Sequence, residues 1–166
     1  TIDALLFKPI PVAAALIFYG LVIIFIEKRN ENKKNFKIED VFKIDFKTAL
    51  LIGCFQVLAM WPGTSRSAAT IIGAMILGLN RTAAADFSFF LAIPTMIGAT
   101  LLKLLKIGSL TMSQWALISL GFVLSFIVAY VVIKKFLSYI QKHDFKIFGY
   151  YRIILGIIVL GYFLFF

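Results

Sequence analysis

The sequence contains few cysteines, histidines and acidic residues. Its 166 residues include one Cys, one His and eight Asp and Glu, and charged residues make up 15% of the chain. The single cysteine, Cys54, lies in an apolar run, so an internal disulfide is excluded. No basic stretch precedes the first apolar run, which is also too long for a secretory signal, so no such signal is predicted.

Hydrophobic residues dominate instead. They make up 61% of the chain, 18 of them are Phe, and the mean hydropathy is +0.98. These values lie far outside the range of soluble domains and predict an integral membrane protein. The net charge of +9 does not indicate nucleic acid, because the lysines and arginines fall mostly between apolar runs, where positive charge marks the cytoplasmic side.

Four apolar runs are each long enough to cross a membrane as one helix. We predict transmembrane helices over 9–27, 83–102, 113–134 and 147–166. The segment 28–47 is predicted to be a cytoplasmic loop, because seven of its residues are basic and four are acidic. The sequence therefore predicts an all-α polytopic membrane protein whose whole length forms a single membrane domain.

A fifth apolar run covers 48–80 and is interrupted by Pro62 and Gly63. A single helix of that length would measure roughly 48 Å, which exceeds the hydrocarbon thickness of about 30 Å. Two shorter arms would pass the midplane and return to the same side. A return also puts the basic loops 28–47 and 134–146 on one side of the membrane, as the positive-inside rule prefers. We therefore predict a re-entrant helical hairpin.

The interruption carries the motif Trp-Pro-Gly-Thr-Ser-Arg-Ser-Ala-Ala-Thr. Pro62 is expected to end the first arm, and Gly63 permits a sharp turn. Thr64 or Ser65 is suited to cap the second arm. The second arm thus begins with free N–H groups and the positive end of a helix dipole, which together favour an anion.

Arg66 stands in this motif at membrane depth, where an arginine is a candidate functional residue by default. Its guanidinium and the neighbouring hydroxyls form a set suited to phosphate or diphosphate. The hydroxyls belong to Thr64, Ser65, Ser67 and Thr70. The alternative is structural: Arg66 would pair with an acid on another helix, and the small residues would serve close helix packing.

The segments 52–70 and 81–94 resemble the bacterial undecaprenyl-diphosphate phosphatase family. The resemblance rests on Pro-Gly-x-Ser-Arg-Ser-x-x-Thr, the upstream Gln56, and a Phe-Ser-Phe segment followed by Ala-x-Pro, all in register. The Tyr-Arg pair ending at Arg152 extends it into the last span. The resemblance implies an inner-membrane enzyme that removes one phosphate from undecaprenyl diphosphate. It also implies interlocked inverted repeats, each with a re-entrant hairpin, of which this chain would be one half.

The resemblance assigns roles to residues of the motif. It implies catalytic roles for Arg66, Ser65 and Thr70, and substrate-binding roles for Gln56, Gly63, Thr64 and Ser67. The implied partners are undecaprenyl diphosphate and membrane lipid, and a homodimer is considered as an assembly. A divalent cation, Mg or Ca, is also implied. Its ligands and a catalytic histidine belong to a glutamate-rich helix and a Ser-Ser-Thr-Gly-His turn that these residues lack, so no metal ligand is assigned in this chain. We expect those groups upstream of Thr1, in a longer protein.

Four other polar residues receive simpler interpretations. His143 is expected to be solvated, and Glu27 is expected to be an interfacial acid at the end of its span. Asp86 is predicted to lie in the first turn of its helix, where an acid complements the dipole. For Arg152 the alternatives are that its side chain extends to the cytoplasmic interface or that it pairs inside the helix bundle, and we favour the internal pair.

Two other functions remain open at this point. Inverted repeats with broken helices at the midplane are also transporter architecture, so a polyprenyl-phosphate transporter or flippase is one alternative. A non-catalytic membrane fragment that binds lipid is the other.

Overall fold

The protein is described here by a computed structural model that covers residues 8–31, 33 and 35–165. Asn32 and Lys34 of the predicted 28–47 loop, and Phe166 of the predicted 147–166 span, lie outside the described residues.

The described part of the chain is helical, without β-strands. Its six α-helices are α1 (Pro9–Glu31), α2 (Phe46–Val57), α3 (Arg66–Leu77), α4 (Arg81–Leu104), α5 (Met112–Ile140) and α6 (Lys146–Phe165). The helices α1, α4, α5 and α6 are long and apolar enough to cross a membrane. The prediction of an all-α, multi-pass membrane protein is therefore confirmed.

Local side chains determine where several helices begin. The Asp45 carboxylate accepts a hydrogen bond from the backbone N of Thr48 (3.3 Å) and caps α2. Hydrogen bonds from the side chain and then the backbone of Thr48 hold the pKa of Asp45 below its usual range. Asn80 caps α4 through Ala83 N (2.8 Å), and Thr111 caps α5 in a capping box. These caps satisfy N–H groups that have no partner within the helix.

The first and last helices, α1 and α6, pack against each other in antiparallel orientation through glycines. A Cβ atom added at Gly20 would lie 2.7 Å from Ile153 Cγ1 and 2.8 Å from Gly149 O. A Cβ atom added at Gly156 would lie 2.9 Å from Ala13 O. The two backbones can therefore approach this closely only because these positions lack side chains, as is common between membrane helices.

One end of the bundle gathers the end of α1 and the starts of α4 and α6. The carboxylate of Glu27 lies 2.7 Å from Arg81 Nη2 and accepts a hydrogen bond from Phe145 N (3.1 Å). Glu31 forms an ion pair with Lys146 (2.9 Å). The end of α1 and the start of α4 are thus close together, and α2 and α3 connect them in sequence. The α2–α3 hairpin therefore leaves one end of the bundle and returns to the same end. The re-entrant course of 48–80 through a membrane stays a prediction.

Two sequence-based interpretations are wrong. Glu27 is not an interfacial acid: it is 1% exposed, and its charge is compensated by Arg81. Asp86 does not lie in the first turn of α4, because that helix begins at Arg81 and has no acid in its first turn. Asp86 is instead the sixth residue of the helix and is half-buried.

The core of the described region lies around α3, where the residues from Ala69 to Met75 are all buried. This helix packs against α1, α2 and α4. In contrast, α5 is exposed along most of its length although it is strongly apolar. The second arm of the hairpin is thus the most enclosed element, which holds its N-terminus at a fixed position.

The close approach of α1 and α6 predicts that Gly156→Ala destabilises the protein. The new Cβ would press on the Ala13 carbonyl, and overpacking of this kind costs about 1–3 kcal/mol of unfolding free energy. Unfolding of the full-length protein in detergent measures the effect. The control is Gly161→Ala on the same helix, where a Cβ meets nothing within 4 Å. Equal losses for both variants would contradict the packing argument.

Candidate functional site

The hairpin turns sharply at Gly63. The first arm ends in a 3-10 helix, Leu58–Met60, and the backbone N of Thr64 then donates to Trp61 O (3.1 Å). Gly63 has a φ of 90°, and a Cβ added there would lie 2.6 Å from Val12 O on α1. Two independent constraints, backbone conformation and space, therefore both require glycine at this position.

The second arm begins at one of the two residues, Thr64 and Ser65, that the sequence offered as its cap. Ser65 is the N-cap of α3, and its hydroxyl accepts a hydrogen bond from Ala68 N (3.3 Å). The hydroxyls of Ser65 and Ser67 lie 3.0 Å apart. Among the described residues, the backbone N–H groups of Arg66 and Ser67 have no hydrogen-bond acceptor. This helix N-terminus therefore retains donors that can bind an anion.

The side chain of Arg66 is half-buried and has no hydrogen-bond or ion-pair partner among the described residues. Arg81 differs, because it is paired with Glu27. The structural alternative for Arg66 required an acid on another helix, and none of the described acids occupies that position. The charge of Arg66 is thus available to a ligand at the helix N-terminus.

Thr70 is 1% exposed and its hydroxyl is fully engaged. Thr70 Oγ1 lies 3.1 Å from both Arg66 O and Ser67 O, and 2.7 Å from Ser88 Oγ. This geometry makes Thr70 a link between the start of α3 and α4. Ser88 belongs to the Phe-Ser-Phe segment, but the sequence alone assigned it no role, because a serine in an apolar span also suits simple helix packing.

The other two predicted substrate-binding residues lie on either side of the turn. Gln56 is half-buried near the end of α2, and its side chain contacts no hydrogen-bond partner among the described residues. Thr64 is 8% exposed, and its hydroxyl is buried without a hydrogen-bond partner in the described ranges of the chain. Their roles, like those of the other predicted site residues, stay predictions.

A cavity of about 250 Å³ lies beside the start of α3. Its polar walls include Ser65, Ser67 and Arg152, and most of the remaining wall is apolar. Arg152 donates a hydrogen bond from Nη2 to Gly63 O, so the prediction of an internal contact for this residue is confirmed. Its partner is a backbone carbonyl and not an acid. Sequence reasoning did not include Arg152 in the site, although an arginine within an apolar span was the available signal.

The described residues do not fit a divalent cation. No group of three or more His, Cys, Asp or Glu side chains lies close enough together to hold a metal ion in the part of the chain that the structure covers. The groups at the start of α3 are a guanidinium, hydroxyls and backbone N–H donors, which match an anion. His143 is exposed and stacks on Tyr139, far along the chain from the motif.

Sequence comparison identifies the family of this hairpin protein. The family described as Bacitracin resistance protein BacA matches residues 1–158. The chain belongs to the BacA family. The resemblance stated from the Ser-Arg-Ser motif is therefore confirmed at the level of the family.

Curated relatives of this BacA-family chain are named as diphosphatases. Undecaprenyl-diphosphatase 1 of Clostridioides difficile (strain 630) is 57% identical over 163 residues, which cover 98% of this chain and 58% of that protein. The Undecaprenyl-diphosphatase of Lachnoclostridium phytofermentans is 52% identical over 164 residues, covering 98% of this chain and 60% of that protein. The Enterococcus faecalis protein of the same name is 52% identical over 160 residues, which cover 96% of this chain and 58% of that protein. The chain thus spans less than two thirds of the length of these relatives.

The buried contact between Thr70 and Ser88 predicts a non-additive pair of substitutions. Thr70→Val leaves the buried Ser88 hydroxyl without its partner and lowers the unfolding free energy by about 1–3 kcal/mol. The double variant Thr70→Val with Ser88→Ala removes both polar groups and recovers part of that loss. Unfolding of the full-length protein in detergent measures these two variants and the single variant Ser88→Ala. Strictly additive losses would mean that the two hydroxyls do not depend on each other.

Proposed function

We propose that the protein hydrolyses undecaprenyl diphosphate to undecaprenyl phosphate and inorganic phosphate in the inner membrane of a bacterium. The observation that carries the proposal is the Arg66 guanidinium at the capped N-terminus of α3, which has no partner in the part of the chain that the structure describes. The names of the curated relatives support the same substrate. Removal of phosphate from this lipid would serve its reuse as a carrier in cell-wall synthesis.

The proposed role of Arg66 is electrostatic. Water attacks the terminal phosphorus while its bond to the leaving undecaprenyl phosphate breaks. Negative charge on the phosphoryl oxygens must be stabilised in this step, and a positioned guanidinium does this without reorganisation. Ser65, Ser67 and the free N–H groups of α3 orient the same oxygens. This work binds and polarises the diphosphate. The described residues supply no general base at this position.

The depth of the hairpin tip supports a site reached from one side of the membrane. The turn at Gly63 lies against Val12 and Ala15, near the start of α1, whereas Glu27 marks the opposite end of the bundle. The twelve helical steps from Ala15 to Glu27 span about 18 Å of helix, which exceeds half of a hydrocarbon core of about 30 Å. If the basic loops are cytoplasmic, the tip lies in the outer half of the membrane, where the diphosphate would be met from the periplasmic side.

A divalent cation, Mg or Ca, is part of the proposal because the resemblance implies one. Its ligands would come from outside the described residues, since these offer no suitable cluster. A homodimer also stays a prediction. The apolar surface of α5 is exposed in this chain, so in a membrane it would contact either lipid or a second copy of the protein. A homodimer is compatible with this exposure.

Substitution of Arg66 tests the proposal in the full-length protein. We expect Arg66→Ala to lower kcat for phosphate release from undecaprenyl diphosphate by at least about 10²-fold, as for loss of one preorganised donor to a developing oxyanion. Arg66→Lys should restore little activity, because a point charge replaces a planar fork. Phosphate release in detergent measures both variants.

Arg29→Ala is the matched control, because Arg29 is an exposed arginine in the last turn of α1. It should retain normal activity. Undiminished phosphate release by folded Arg66→Ala would contradict the proposed role. Movement of polyprenyl phosphate across vesicles without any phosphate release by the unaltered protein would favour the transporter alternative.

The course of the hairpin generates a labelling prediction. In a full-length Cys54→Ser background, Lys33→Cys and Lys142→Cys should react with an impermeant maleimide from the same side of the membrane. Both are exposed, and their segments lie at the end of the bundle that holds the Lys146–Glu31 ion pair. Met112→Cys, at the start of α5, is the control expected to react from the other side. Labelling of the first two cysteines from opposite sides would refute the re-entrant hairpin.

A further inference from the structure

Arg152 brings a second positive charge to the tip of the hairpin. It projects from α6, and its Nη2 donates to the carbonyl of Gly63, the residue at the turn. Its Nε is buried and has no hydrogen-bond partner among the described residues. None of the described acids forms an ion pair with it. The Gly63 carbonyl therefore uses one of five N–H donors and leaves the charge uncompensated.

Such a charge is costly within a membrane-spanning helix. Buried cations are normally paired with an anion, because a carbonyl dipole offsets only part of the lost hydration. A second buried group, the hydroxyl of Thr64, also lacks a partner within the described part of the chain and lies next to Gly63 in sequence. Buried polar atoms without partners are uncommon in native structures. Two of them beside the same turn indicate a polar ligand there.

The cavity beside α3 gives this ligand a place. Arg152, Ser65 and Ser67 all contribute to its wall, and the two serine hydroxyls are 3.0 Å apart. Arg66 lies between these serines in sequence but does not line the cavity. Arg66 is the first residue of α3, and Arg152 contacts the turn that precedes it, so both arginines belong to the same end of this helix.

The remaining charged group on the cavity wall does not oppose an anion. Glu27 contributes to the wall, but its carboxylate is held by Arg81 at 2.7 Å and by Phe145 N at 3.1 Å. Glu27 also lies near the end of α1, whereas the turn contacts Val12 near the start of that helix. The polar end of the cavity is thus positive.

We propose that Arg152 binds the second phosphoryl group of a diphosphate while Arg66 binds the first. This inference rests on the proposed function and extends it, because it explains why the site would distinguish a diphosphate from a monophosphate. Arg152 acts here as a binding residue, oriented by its hydrogen bond to Gly63. A diphosphate has two adjacent anionic groups, and Arg66 at the start of α3 and Arg152 at the turn before it supply one guanidinium for each.

Ligand binding to the full-length protein tests the inference without depending on turnover. The probes are methylenediphosphonate, which has two linked anionic groups and is not hydrolysed, and inorganic phosphate. The unaltered protein should bind methylenediphosphonate more tightly than phosphate. Arg152→Gln should weaken binding of methylenediphosphonate by about tenfold to a hundredfold, as for loss of a charged hydrogen-bonding group, and weaken phosphate binding far less.

Two further variants separate binding from folding. Arg152→Lys keeps a charge and a donor for Gly63, so the protein should fold and show a smaller loss of preference for methylenediphosphonate. Arg29→Gln, which removes an exposed arginine, should leave both affinities unchanged. If Arg152→Gln does not fold, the preference measured for Arg152→Lys decides the matter.

Several outcomes overturn the inference. If Arg152 is purely structural, its substitution should lower the affinities for methylenediphosphonate and phosphate equally. An unchanged preference for methylenediphosphonate in Arg152→Gln and Arg152→Lys would therefore overturn the inference. The failure of each proposal can be recognised. If the unaltered protein releases phosphate but its preference does not depend on Arg152, only this inference fails. If it binds as expected but releases no phosphate, only the proposed function fails.

Discussion

The structure depends on one constraint, which is that the backbone polar groups at a break between two apolar helices must find partners away from water. The turn of the hairpin does this with specific partners. Thr64 N donates to Trp61 O, Ser65 caps the next helix, and the Gly63 carbonyl accepts from Arg152. Within the described part of the chain, the same break leaves the first N–H groups of α3 unpaired. Donors suited to an oxyanion are therefore a direct product of the way in which the chain tolerates its own interruption.

Features that depend on local sequence could be predicted. Length and hydrophobicity indicated four long helices, and Pro62 with Gly63 indicated the break between α2 and α3, because both signals lie within a few neighbouring residues. Glu27 could not be interpreted correctly in this way. Its partners are Arg81 and the backbone of Phe145, which lie 54 and 118 residues away in sequence. Next to Lys28 in the sequence, it resembled an ordinary acid at a helix end.

The candidate site shows the same division. The motif identified Arg66 and the capping serine, since a charge in an apolar run and a cap before a helix are both visible in sequence. It did not indicate that the Thr70 hydroxyl is bound to Ser88, or that Arg152 reaches Gly63 across 89 residues. Those contacts follow from how α3 packs against α4 and how α6 packs along α1. Composition and spacing contain no information about such pairings.

The hydrogen bond between Arg152 and Gly63 has a consequence for biosynthesis. The hairpin is synthesised and inserted well before the last helix, so its turn initially lacks the donor that completes it. The close glycine contacts between α1 and α6 then bring Arg152 to the turn. The turn is consequently completed only after α6 has been synthesised, and a nascent chain that stops before α6 holds a hairpin whose tip carbonyl lacks this donor.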